Sequence, residues 1–337
     1  MIANLIRENS LPVAKRTRSS LASLTSFYYN KNNKNNKNNY SSHPYISVTE
    51  IDSFCFNDTI VDWLALFKDS STAQISPSLD LLFQKGNEYE NLVMTRLRNL
   101  TNLELIKQSS LQTSRLYQNN ESIVQHDLSN TYERMRNGDP IIYSAFLQDE
   151  STHLRGIPDL LVRNDYVNQL FKTYEIEQKS SVFGNYYYIP IEIKFSSIHL
   201  TKNNKTIYNK GRVKFYKTQL YAYCKLLETI QGVRPSSAFI IGKRSVLYDG
   251  SAVDPLLHPG YVDYKGDDCS YESVYEHGME WLQYVKEHGL GWGINDLFRF
   301  GDFLLPNMKH IHPIYQSDKE AISSLYGDIT EIWQCTH

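Results

Sequence analysis

In Ile189-Pro190-Ile191-Glu192-Ile193-Lys194-Phe195, bulky apolar residues occupy every second position and a pair of opposite charges stands between them. Side chains of a strand alternate between its faces, so Glu192 and Lys194 share one face and the apolar residues the other. A carboxylate and an ammonium side by side near the end of an apolar strand form either an ion pair on a solvated sheet face or part of a reaction centre. Acidic-x-Lys triplets also begin at Glu177 and Asp263, and about two are expected from composition alone, so context must separate them. Only Glu192 lies in a cleanly alternating strand that follows a second apolar stretch, which holds Gly156-Ile157-Pro158-Asp159. Proline within a strand marks an irregular or edge position, one that can tilt Asp159 toward the neighbouring carboxylate.

Outward from this pair the chain alternates between helical and extended patterns. Ser47 or Thr49 can cap a helix through Ile51, Phe54 and Phe56 that continues at helical spacing through Ile60, Trp63, Leu64 and Phe67. A second helix is expected from about Leu81, with Gly86, Glu90, Val93, Leu97 and Leu100 on it; its glycine points to close packing. Ile141 to Leu147, Leu154 to Val162 and Tyr187 to Phe195 read as strands, Phe215 to Leu227 as a helix, Ser237 to Val246 as a strand and Tyr271 to Lys286 as a helix. This order predicts an α/β domain with one central mixed sheet flanked by helices. The expected division is an arm over 1–44, a core over 45–249 and a helical C-terminal extension over 250–337 packed on that core.

Gln219 and Tyr223 stand one turn apart on the Phe215 helix and point the same way. With Gly-x-Pro-Asp first, then Glu-x-Lys, then Gln-x-x-x-Tyr, the chain resembles the RecB-like branch of the PD-(D/E)xK nucleases, a group that includes CRISPR-associated exonucleases. Gly86-Asn87-Glu88-Tyr89-Glu90 is similar to the first motif of that family, and all four motifs come in family order across roughly residues 45–245. Ser181-x-x-Gly184 before the catalytic strand, Leu304-Leu305-Pro306-Asn307-Met308 and Gly327-Asp328-Ile329-Thr330 resemble less specific features of one subgroup. The gap of 33 residues between Asp159 and Glu192 is long for the family and is expected to be a hairpin insertion over Asn164 to Gly184 that leaves the two strands adjacent.

The resemblance implies a restriction-endonuclease-like core and a site for Mg²⁺ or Mn²⁺. Asp159 and Glu192 would supply hard anionic oxygens, joined by the backbone carbonyl of Ile193 and by waters. The cation would lower the pKa of a bound water and stabilise charge on the scissile phosphate. Lys194 would orient the nucleophile or neutralise the developing oxyanion, and Glu90 would hold a metal-bound water or position Lys194. Gln219 and Tyr223 would bind the nucleic-acid backbone and buttress the site. Without the cation two adjacent carboxylates repel, so the empty site is expected to be less stable than its surroundings.

Charge and composition narrow the class further. The 337 residues carry a net charge of only -2, with 41% hydrophobic and 21% charged residues, which excludes a histone-like polycation and fits a globular chain. No apolar run reaches the ~20 residues of a membrane span. Residues 1–40 hold a net +6 and leave -8 for the rest; within them Asn30 to Asn39 is a polar low-complexity tract expected to be disordered. Lys15-Arg16-Thr17-Arg18 is compatible with a nuclear address, an organelle presequence, a phosphate-binding arm or a solvated tail.

In the body, Lys202, Lys205, Lys210, Arg212, Lys214 and Lys217 form an acid-free basic run, the clearest candidate for phosphate binding, with a solvated basic loop as the alternative. Tyr208, Phe215 and Tyr216 interleave with it, either to stack on unpaired bases or as core.

Cys55, Cys224, Cys269 and Cys335 are too widely spaced for a disulfide framework, a zinc module or the iron-sulfur cluster of some RecB-like nucleases, so no cluster is expected. Free thiols fit a reducing intracellular compartment, cytoplasmic or nuclear. His310-x-His312 lacks a matching pair of ligands and reads as structural or incidental, and there is no Walker motif.

The expectation is a metal-dependent DNA nuclease, an exonuclease or flap-trimming enzyme acting near single-stranded ends. The alternative is a nuclease-fold module that binds nucleic acid for a partner without cutting it. A helicase partner follows only by analogy.

Overall fold

The computed structural model describes residues 45–67, 77–109, 121–292, 304, 306–332 and 335. The basic arm lies outside the described residues. What is described is an α/β protein with a mixed sheet flanked by helices. None of its helices is long and apolar enough to cross a membrane.

The chain enters through β1 (Ile46–Ser47) and a 3-10 turn over Val48–Ile51, capped as expected by Ser47, whose hydroxyl accepts from the Thr49 N–H while Glu50 reaches back to the Ser47 N–H. The single helix expected beyond it is two short ones, α1 (Asp52–Cys55) and α2 (Ile60–Ala65). Asn57, at φ 53°, breaks them, and the interruption turns Asp58 fully inward. The next helix, α3 (Pro77–Thr101), begins before Leu81. Close packing at Gly86 is not found: a β-carbon there would meet nothing within 4 Å. The helix docks only from Tyr89 onward, burying Val93, Met94 and Leu97. α4 (Glu121–Asn137) was not foreseen, because its apolar stripe is weak: Ile123 and Tyr132 remain exposed while Val124 and Met135 are buried.

Two expected strands each divide in two. Ile141 to Leu147 becomes β2 (Ile141–Tyr143) and β3 (Leu147–Asp149), hinged at Ser144 with φ 57°. Leu154 to Val162 becomes β4 (Leu154–Gly156) and β5 (Leu160–Arg163), separated by Ile157-Pro158-Asp159. Both chains turn the same corner, from a small sheet ordered β1-β4-β3 into the main sheet.

In the main sheet β2 pairs antiparallel with β5, and β5 antiparallel with β6 (Tyr188–His199). The insertion between β5 and β6 carries a short helix, α5 (Asn164–Leu170), and a tight turn at Ser181–Gly184. Asn164 pins its base: its backbone N–H donates to the Tyr187 carbonyl, and its side-chain oxygen accepts from the Tyr187 N–H. β6 then runs parallel to β7 (Ser237–Val246), and the connection between them is α6 (Val213–Gln231), which ends at Gly232 in the left-handed conformation. Parallel neighbours require such a crossover. β8 (Ala252–Val253) and β9 (Gly260–Asp263) both add antiparallel to β7. The sheet thus continues past residue 249, where a division was expected.

Beyond it α7 (Tyr271–His288) packs on α6, and α8 (Gln316–Tyr326) closes the C-terminal region. One apolar core fills the α6 side of the sheet, and a second lies under α3 and α5.

Candidate metal centre

The site forms just before β5 begins, where β6 loses its pairing with β5 and continues beside β7 only. The antiparallel register pairs Leu160 with Ile191, so the next residues, Asp159 and Glu192, face each other just beyond the last pair. Pro158 supplies no N–H to continue the ladder. The Asp159 carboxylate takes the vacant position: its Oδ2 accepts the Ile193 N–H at 2.6 Å. In an extended chain the N–H and C=O of one residue point to the same edge, so the Ile193 carbonyl also faces this gap.

Glu192 and Lys194 face α6, as strand alternation requires. Glu192 is 2% exposed, so the pair does not sit on a solvated face. Lys194 Nζ donates to Glu192 Oε2 and, at 3.1 Å, to Gln219 Oε1, with the Tyr216 ring 5.1 Å away. Glu192 Oε1 is buried without a hydrogen-bond partner among the described residues. A buried carboxylate oxygen left unpaired is costly, and such orphans call for an explanation, an absent ion among them.

Burial, then the neighbouring Glu192, pushes the Asp159 carboxyl well above its ordinary value, against the pull of Lys194. Burial alone would lower Lys194, but Glu192 and Asp159 outweigh it and its pKa is raised. The ammonium is therefore held charged between the carboxylates.

Gln219 Nε2 lies 3.3 Å from the Tyr223 hydroxyl, which donates to the Ile157 carbonyl at 3.0 Å. The expected role of Gln219 and Tyr223 in gripping a nucleic-acid backbone is not found, because they are 4% and 0% exposed. They work as a buttress, running from the segment before Asp159 through α6 to Lys194.

Of the two roles expected of Glu90, direct positioning of Lys194 is not seen, since the Lys194 acceptors are Glu192 and Gln219. Instead Tyr143 on β2 donates its hydroxyl to Glu90 Oε1 at 2.6 Å. Among the described residues no three His, Cys, Asp or Glu side chains gather into a ready cage. Glu90 is nevertheless near enough to contribute to the raised pKa of Asp159, a position suited to a contact through water. Asp159, Glu192 and the Ile193 carbonyl offer oxygens only, the donor type preferred by Mg²⁺ and Mn²⁺, and the orphaned Glu192 Oε1 fits such a cation.

The basic run does not act as one surface. Lys202, Lys205 and Lys210 are exposed and Lys214 is half-buried. Arg212 is engaged with Asp52 at 2.7 Å and lies over the Phe56 and Phe215 rings. Lys217 is excluded from phosphate binding: it is buried, and its Nζ donates to Asp268 at 2.6 Å and to the Ile207 carbonyl at 3.0 Å. Phe215 is core, Tyr208 is exposed, and Tyr216 stands beside Lys194.

Cys55 and Cys224 are buried, Cys269 is exposed and Cys335 is half-buried. His310 bonds Asp58 at 2.8 Å, and His312 accepts from backbone N–H groups while burial drives its pKa down to about 4. Both are structural, as expected.

The residues that sequence reasoning missed are Tyr143 and Ser144. The only signal was Tyr143 at the end of its apolar run; nothing local indicated a partner more than fifty positions earlier. No protein-family model matches the chain, and a search of curated proteins finds no match.

Proposed function

We propose that this chain is a Mg²⁺- or Mn²⁺-dependent DNA nuclease with a restriction-endonuclease-like core, of the RecB-like kind its motifs resemble, cutting phosphodiester bonds near single-stranded ends. The observation that carries the reading is the Glu192 carboxylate, buried with Oε1 orphaned, beside Asp159 and bonded to a charged Lys194. The order of pairing, with β5 antiparallel and β7 parallel to the strand that bears Glu192 and Lys194, is compatible with that core.

Asp159, Glu192 and the Ile193 carbonyl would hold the cation, with Glu90 reaching it through water. When bound, the cation supplies a water of lowered pKa and neutralises charge on the phosphate. Lys194 keeps its positive charge because Glu192 and Asp159 outweigh its burial, its bonds to Glu192 and Gln219 fix its position, and it can stabilise the oxyanion or orient the attacking water. Tyr216 limits solvent on one side of the ammonium. Lys202, Lys205, Lys210 and Lys214 are the remaining candidates from the basic run for tracking phosphates, with the exposed Tyr208 placed to stack on an unpaired base.

The test is cleavage of end-labelled single- and double-stranded DNA with each metal, comparing the unaltered protein with Asp159→Ala and Lys194→Ala. Metal-dependent cutting that both substitutions abolish is expected. Salt-sensitive binding with no cutting under either metal would replace the enzyme with a nucleic-acid-binding module.

A further inference from the structure

One dipeptide at the corner between the two sheets holds both outlying carboxylate residues of the site. The Ser144 N–H donates to the Asp159 carbonyl at 2.7 Å, and the adjacent Tyr143 hydroxyl donates to Glu90 Oε1 at 2.6 Å. The dipeptide is itself held from the other edge, where Gln108 and Ser109 donate their N–H groups to the Tyr143 and Ser144 carbonyls. Ser144 adopts φ 57°, a conformation unfavourable for a residue with a β-carbon, and such positions concentrate at functional sites. Tyr143 is 6% exposed and belongs to the core cluster that includes Leu160 and Ile193.

Glu90 needs such a tether. The half of α3 that precedes it is largely exposed, with Leu81, Leu82 and Phe83 turned outward, and the helix docks on the sheet only from Tyr89 onward, where the Tyr89 hydroxyl donates to the Gly242 carbonyl at 2.6 Å. A glutamate at that landing point has free rotamers unless a partner fixes it. Tyr143 occupies Oε1 and leaves Oε2 with no hydrogen-bond partner among the described residues, on a residue near enough to Asp159 to raise its pKa.

We infer that Tyr143 is a positioning residue of the metal centre, which orients Glu90 to hold a water of the bound cation. The inference rests on the proposed metal-dependent function. It acts through Glu90, the one hydrogen-bond partner of the Tyr143 hydroxyl among the described residues.

The experiment is titration of the full chain with Mn²⁺, followed by electron paramagnetic resonance of the free ion, for the unaltered protein, Tyr143→Phe, Glu90→Gln and the double variant. Loss of a partner one step removed from a metal typically weakens binding 10- to 100-fold, so Tyr143→Phe is expected to raise the Mn²⁺ Kd about tenfold. In the Glu90→Gln background the same change should have no further effect, the signature of a shared pathway. Near-ultraviolet circular dichroism of each variant checks that the fold is kept, and Phe retains the ring.

Unchanged Mn²⁺ binding by Tyr143→Phe, or full additivity with Glu90→Gln, would overturn the inference while leaving the metal site standing. Failure of the unaltered protein to bind Mn²⁺ would instead remove the metal-dependent reading, and the role of Tyr143 with it.

Discussion

Tyr223 closes over Gly156 so tightly that a β-carbon at 156 would lie 2.7 Å from Tyr223 Cε1, and 2.8 Å from Val48 Cγ2 on the other side. Two motifs far apart in the chain are thus the two sides of one contact. The glycine lets the tyrosine ring reach the Ile157 carbonyl, and the tyrosine in turn steadies Gln219 and Lys194. Gly156→Ala should cost about 1–3 kcal/mol, the range for overpacking a filled core. Tyr223→Phe keeps the ring but strips the Ile157 carbonyl of this donor, at a cost of about 1–3 kcal/mol. Urea unfolding midpoints check both, and an alanine tolerated at 156 without loss would mean that the ring is free to move away.

Asp159 predicts an inverted pH dependence. Its folded pKa is raised above the ordinary 3.8 by burial and by Glu192, so the folded state keeps this proton to higher pH than the unfolded chain does. Its contribution to stability is present below about 3.8 and is lost as pH climbs through the raised folded value. The metal-free protein should accordingly gain stability near neutrality when Asp159→Asn removes the charge, and the difference from the unaltered protein should vanish at low pH. Mn²⁺ should reverse the order, because only the ionised carboxylate binds it. Thermal unfolding across pH, with and without Mn²⁺, measures this; an Asp159→Asn variant less stable at neutral pH without metal would contradict it.

Within the basic run the cations should separate by burial. Lys217→Ala leaves Asp268 charged in the interior and should destabilise the fold by about 3–5 kcal/mol. Lys202→Ala and Lys210→Ala, both at exposed positions, should stay within about 0.5 kcal/mol of the unaltered protein. Each should also lower the slope of log affinity for DNA against log salt by about one. Denaturant melts and salt titrations of binding distinguish the two groups, and exposed lysines that leave the salt slope unchanged would exclude them from the phosphate path.

The strand that carries Glu192 and Lys194 was legible because period-two alternation in a buried strand is a strong local signal, and β7 and α6 were legible for similar reasons. The corner at Ser144 was not, since a left-handed serine leaves no mark in a run of apolar residues. The burial of Lys217 was equally hidden: its partner Asp268 comes from the turn before α7, and only the crossover of α6 brings them together. Sequence order places Glu90, Asp159, Glu192 and Gln219 in succession, but whether Glu90 meets Lys194 or Tyr143 depends on where α3 lands on the sheet. That landing is set by Tyr89 and Gly242, residues 153 positions apart.

The C-terminal region is expected to be inseparable from the core, because it is bound through a charge that its removal would expose. Asp58, fully buried, receives Lys319 Nζ at 2.7 Å, His310 Nδ1 at 2.8 Å and the Asn307 N–H at 2.9 Å. Asn307 also donates to the Phe56 carbonyl, and Thr330 accepts the Met308 N–H, so the two tail motifs meet against the loop between α1 and α2. Lys319→Ala would leave the buried Asp58 charge without its cationic lysine, held only by His310 and the Asn307 N–H among the described residues, and should cost about 3–5 kcal/mol. Adding Asp58→Asn to Lys319→Met should recover much of that loss, since the penalty comes from the unpaired charge rather than from absence of the pair. Truncation before Leu304 should destabilise at least as much as the single substitution. Equilibrium unfolding of the three variants decides the matter: a Lys319→Ala protein as stable as the unaltered one would show that Asp58 keeps its charge satisfied without the C-terminal helix.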